Sequence, residues 1–156
     1  MSNYITSLPT DLPRSRHTIL VVEDDFLLRR DVVGEFRRQG FEILEAGNTD
    51  QARELLKSEA IDLLFTDITL PDAAEGMDGL GLAKLVRAMR PEMKVIIASG
   101  HVQAGDDLKI ADACFSKPYD FVRIVAAIRK LLRPASAKWP AFANAKADSM
   151  GGDRRL

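Results

Sequence analysis

The sequence predicts an α/β fold, an open and doubly wound sheet of five parallel strands. Three observations carry this. Short apolar runs alternate with amphipathic stretches five times between Thr18 and Arg133, the pattern of strand–helix–strand units with helices on both faces of a parallel sheet. Such crossovers are right-handed, which makes an open sheet the simplest arrangement. A closed eight-stranded barrel needs roughly 250 residues, and this chain has 156.

The elements follow in order. Residues 18–22, TILVV, form a continuous apolar run suited to a buried strand. From Asp25 to Gln39, Leu28, Val32 and Phe36 recur at helical spacing, and Gly40 supplies the stop. FEILEA at 41–46 is the second strand. Asn48 and Gln51 resemble a capping box, with Ala52, Leu55 and Leu56 on the apolar face of the helix that follows. IDLLFT at 61–66 is the third strand and LPDAAEGMDG at 70–79 a loop, in which Gly76 and Gly79 serve the turn into the next helix. That third helix presents Leu82, Leu85, Val86 and Met89 and stops at Pro91. KVIIAS at 94–99 is the fourth strand, 102–110 a short fourth helix, and ACFS at 113–116 the fifth strand. The last helix carries Phe121, Ile124, Val125, Ile128 and Leu132 on one face and ends before Pro134.

Composition narrows the classes of function. The chain is 46% hydrophobic and 29% charged, the balance of a soluble globular domain. A formal net charge of −1 gives no electrostatic case for direct binding of nucleic acid or a membrane. A single cysteine, Cys114, excludes an internal disulfide, and no Cys/His cluster suggests zinc. No apolar run is long enough for a signal peptide or membrane span, so a cytoplasmic protein is expected. Residues 1–16 read as a flexible lead, 17–133 as the domain, and the polar 134–156 as a flexible tail without an output domain.

The chemistry gathers at one edge. In sheets of this kind, ligands bind beyond the carboxyl ends of the strands. There the first strand runs into Glu23-Asp24-Asp25, the third ends at Asp67, the fourth at Ser99, and the fifth at Ser116-Lys117-Pro118. Adjacent acids at the end of a buried strand are costly without a compensating cation. Hard oxygen ligands of this type suit Mg²⁺. A carboxylate nucleophile, a divalent cation, a lysine and a hydroxyl are the parts needed for phosphoryl transfer to aspartate. Asp25 reads more simply as a helix N-terminal residue than as a ligand.

From about Thr18 to Arg133 the chain resembles the receiver domain of two-component response regulators. The resemblance rests on ILVVEDD, DLLFTDITLP, GMDGLGLAKLVR, VIIASG and CFSKP, in that order. It implies a (βα)₅ flavodoxin-like fold with Asp67 as phosphoacceptor. It also implies Mg²⁺ held by Asp24 directly, by Glu23 mostly through water, by Asp67, and by the backbone carbonyl of Thr69. Ser99 takes the place of the switch hydroxyl, Lys117 binds phosphate, and the Lys117–Pro118 bond is cis. The partners implied are a histidine kinase or histidine phosphotransfer protein and a downstream protein target. The domain would then be a signalling phosphoacceptor rather than an enzyme, with output by protein contact or phosphorelay.

Other classes fit less well. A haloacid-dehalogenase-like phosphatase needs a second Asp two residues beyond the nucleophile, where this chain has Thr69. A flavin or nucleotide module needs a phosphate loop after the first strand, where this chain has acids. A degenerate receiver acting only as an interaction module is at odds with the complete acid set, Ser99 and Lys117. Three features depart from the usual receiver pattern. The loop after Asp67 carries about four extra residues, 72–75, and the stretch from Ser99 to Lys117 is about four residues short. Cys114 stands where a Tyr or Phe is usual three residues before the lysine. His101, two residues beyond Ser99, falls where receivers flank the path of the attacking water.

Overall fold

Hydrogen bonding pairs β1 (Thr18–Val22) with both β2 (Glu42–Ala46) and β3 (Leu63–Asp67), then β3 with β4 (Lys94–Ser99) and β4 with β5 (Ala113–Ser116). Every pairing is parallel and the order is β2-β1-β3-β4-β5. This computed structural model describes residues 16–70, 76–100 and 106–133. The connections are α1 (Phe26–Arg38), α2 (Thr49–Ser58), α3 (Gly79–Met89) and a 3₁₀ turn (Asp106–Ile110), and α4 (Phe121–Leu132) closes the domain. The winding reverses between β1 and β3, which opens a crevice at their carboxyl ends.

Side-chain alternation along the strands divides the core in two. Ile19, Val21, Leu63, Phe65, Ile96 and Ala98 face α1 and α4. Leu20, Val22, Leu64, Val95 and Ile97 face α2 and α3. Both sets are buried because a parallel sheet is covered on both sides, which is why its strands read as unbroken apolar runs. The helices begin where polar side chains accept orphan amide protons. Asp25 caps α1 by accepting from Leu28 N–H at 2.9 Å, as Asp78 and Asp120 cap α3 and α4. Asn48 accepts from Gln51 N–H at 2.8 Å, while the Gln51 side chain returns to Gly47 N–H instead of to the cap itself. Gly40, with φ +93°, ends α1 in the left-handed region.

Four helices are present among the described residues, where the sequence suggested five. Of the segment expected as a fourth helix, 102–110, residues 102–105 lie outside the described residues, and 106–110 form a five-residue 3₁₀ turn. Among the described residues, this turn packs Leu108 and Ile110 against the core as partly buried apolar side chains, and short runs favour the tighter 3₁₀ geometry. Met89, expected on the buried face of α3, is half exposed because the buried stripe of that helix ends at Val86. β3 starts two residues later than expected, and the Asp62 side chain just before it accepts from Thr18 N–H at 2.8 Å. Most of the N-terminal lead, loop residues 71–75, His101 and the tail lie outside the described residues. No helix among the described residues is long and apolar enough to cross a membrane.

Candidate functional site

β1 delivers Glu23 to the crevice almost wholly buried, at 2% exposure. Its backbone is held on both sides, N–H donating to Ala46 carbonyl at 3.1 Å and carbonyl accepting from Arg29 Nη1 at 2.7 Å. A carboxylate this deep needs donors. Asp25 N–H donates to Oε1 at 3.2 Å, and Oε2 faces Lys117 Nζ at 3.2 Å and the Tyr119 hydroxyl at 3.5 Å. Burial pushes the Glu23 pKa above the ordinary carboxylate range, against the opposing pull of the Asp25 amide and Lys117.

β3 ends in Asp67, also buried. Its Oδ1 accepts from Thr69 N–H at 3.1 Å, and its Oδ2 lies 2.6 Å from Lys117 Nζ. The lysine is thus shared between two acids from different strands. Burial works against its charge, but the hydrogen bonds to Asp67 and Glu23 outweigh this and hold its pKa above the ordinary value. β4 and β5 fix the lysine backbone. Ser99 pairs with Ser116 in register, Lys117 N–H donates to Ser99 carbonyl at 2.9 Å, and the Lys117–Pro118 bond is cis.

Of the residues singled out from sequence, Glu23, Asp24, Asp67 and Lys117 converge. One carboxylate oxygen each from Glu23, Asp24 and Asp67 lies within 4.8 Å of the others. Asp24 is exposed, so the cluster opens to solvent on its side. Ser99 is buried at the end of β4, adjacent to Ala98, which pairs with Asp67. Thr69 reaches the site through its backbone amide, and its side chain lies on an exposed residue. Asp25 is a helix cap rather than a member of the cluster. Three carboxylates against one ammonium leave excess negative charge, and an all-oxygen donor set of this kind suits Mg²⁺.

Three contributors were not singled out for the site from sequence. Arg29 clamps the Glu23 carbonyl and stacks 5.6 Å from the exposed Phe26 ring. Helical spacing places Arg29 on α1 but does not show that it reaches back to β1. Gly79 packs so tightly that a Cβ would fall 1.6 Å from the Asp67 carbonyl oxygen. A glycine next to a helix start gives that away only once β3 and α3 are docked. Tyr119 reaches Glu23 across 96 positions of sequence, a contact that no local pattern records.

Comparison with known proteins places the chain in a family. Residues 19–129 match the response regulator receiver domain, and the chain belongs to that family. It is 31% identical to the response regulator receiver protein CpdR of Brucella abortus, over 73% of this chain and 95% of that protein. It is 30% identical to sporulation initiation phosphotransferase F of Bacillus subtilis, over 73% of this chain and 92% of that one. Among solved structures it superposes on the response regulator TrrA of Thermotoga maritima with a TM-score of 0.68 and 28% identity, covering 74% of this chain and 99% of TrrA. TrrA was crystallised with Mg²⁺-BeF and, separately, with the histidine kinase ThkA. The flavodoxin-like fold and the role in two-component signalling expected from sequence therefore hold.

Proposed function

We propose that Asp67 accepts a phosphoryl group from a phosphohistidine on a histidine kinase or phosphotransfer protein, in a Mg²⁺-dependent reaction. One observation carries the reading. A buried Asp67 carboxylate lies 2.6 Å from Lys117 Nζ, within a cluster of two further acids. An Asp67 oxygen forms the new O–P bond as the P–N bond of the donor breaks, and the imidazole nitrogen keeps that electron pair. Thr69 N–H on Oδ1 orients the attacking carboxylate. Lys117, already beside Oδ2, follows the charge from the carboxylate to the phosphoryl oxygens. Ser99 supplies its hydroxyl to the phosphoryl group. Asp24, Asp67 and the Thr69 carbonyl, with Glu23 mostly through water, would hold Mg²⁺, which would neutralise charge on the transferred group. The Mg²⁺-BeF complex of TrrA and its complex with a histidine kinase support this for the present chain by likeness.

Output then passes by protein contact or onward phosphate transfer, through a shift between two conformations. The test is incubation with Mg²⁺ and a small phosphodonor, followed by intact mass measurement. One phosphoryl group is expected, lost on mild base treatment and absent in Asp67→Asn, which keeps the fold but lacks the nucleophilic oxygen. Labelling of Asp67→Asn equal to the parent would assign the phosphoryl group to another residue.

A further inference from the structure

Tyr119 lies two residues beyond the lysine, with its ring fixed by packing rather than by its hydroxyl. It meets Phe65 edge-on at 5.8 Å and Phe121 at 6.0 Å between ring centres. Lys117 Nζ stands 5.9 Å from the same ring centre. This packing aims the hydroxyl at Glu23 Oε2. A carboxylate has roughly four lone-pair positions. In Glu23 the Asp25 amide takes one on Oε1, while Lys117 and Tyr119 share Oε2. These donors define the carboxylate plane and leave it facing the cluster with Asp24 and Asp67.

The two donors on Oε2 are not equivalent. Lys117 is divided between Glu23 at 3.2 Å and Asp67 at 2.6 Å, so it is the one drawn away when Asp67 carries a phosphoryl group. The Tyr119 hydroxyl has no second acceptor among the described residues and stays. We propose that the Tyr119 hydroxyl is a positioning group for the cation site: its hydrogen bond fixes the buried Glu23 carboxylate and thereby strengthens Mg²⁺ binding. This rests on the phosphoacceptor reading above. It assigns work at the site to an aromatic residue beyond the lysine, whereas position 114, before the lysine, holds a cysteine.

Calorimetric titration of Mg²⁺ into the metal-free 156-residue chain tests this, with Tyr119→Phe as the main variant and Phe121→Leu as a packing control. Tyr119→Phe keeps the ring contacts and removes one donor, so Kd for Mg²⁺ should rise about twofold, the low end for one hydrogen bond, as fits a contact of 3.5 Å. The melting temperature of the metal-free protein should stay close to that of the parent. The Mg²⁺ concentration giving half-maximal phosphorylation by a small phosphodonor should rise by the same factor, with the rate at saturating Mg²⁺ unchanged. Phe121→Leu should lower the melting temperature and leave Kd near the parental value. An unchanged or tighter Kd in Tyr119→Phe overturns the positioning role while the phosphoacceptor reading stands. So does an equal weakening in Phe121→Leu, which would assign the effect to packing. Failure of the parent protein to bind Mg²⁺ overturns both.

Discussion

The two faces of the sheet are covered by different means. On one, α1 and α4 close over a chain of aromatic rings: Phe36 meets Phe65 edge-on at 5.3 Å and 89°, then Phe41 and Phe121 at 6.5 Å. Phe65 and Phe121 continue to Tyr119 and so to the acid cluster. On the other face the core is aliphatic, and the 3₁₀ turn stands in for a helix. There a polar clamp holds the edge of the sheet. Arg87 donates to the Ile110 carbonyl at 2.8 Å, the Met93 carbonyl at 3.0 Å and Asp112 at 2.5 Å, and Asp112 also accepts from Val95 N–H. Where apolar area suffices, packing sets the geometry. Beside the 3₁₀ turn, directional hydrogen bonds contribute as well, and these hold one edge rather than a whole face.

The sharpest way to break the contrast is Phe36→Ala. Phe36 is fully buried at the centre of the aromatic chain, and its truncation should cost about 4 kcal/mol in chemical denaturation. The whole domain should unfold together at the lower midpoint. Gly79→Ala tests the second face at its contact with the site. The added methyl would overlap the Asp67 carbonyl, so about 3 kcal/mol of destabilisation is expected, at the high end for overpacking. The displaced β3 end should also slow phosphorylation.

Arg87→Met should cost less, about 2 kcal/mol, since its partners regain some water. Its signature is local: amide exchange should accelerate at residues 108–112 while the aromatic face keeps its protection. Uniform acceleration would mean that the clamp supports the whole sheet. For His101→Ala, the rate of phosphate loss should change at least several-fold, on the order of 1 kcal/mol in barrier. The smallest expected effect is at Cys114, which, like Leu108 and Ile110, packs partly buried against the aliphatic core. Cys114→Tyr should leave partner binding and dimerisation unimproved by phosphorylation. A gain would show that an aromatic ring at this position can couple phosphorylation to binding.

Much of this protein was determined by sequence acting locally. Apolar runs of strand length, Asp25, Asn48 and the helical spacing of Val32 and Phe36 each act within a few residues, so they fix elements wherever the chain goes. The acids at the ends of β1 and β3 and the lysine after β5 were legible because a parallel sheet delivers all its carboxyl ends to one edge. The tertiary structure decided what depends on packing between distant segments. Whether 106–110 wound as an α-helix or as a 3₁₀ turn depended on how it packed against α3 and the sheet. Arg29 and Tyr119 joined the site through contacts that sequence periodicity does not encode. Gly79 is required by the approach of one backbone to another, a distance set only when α3 docks on β3. Local propensities carry no information about such contacts, because their energies arise only between elements already in place.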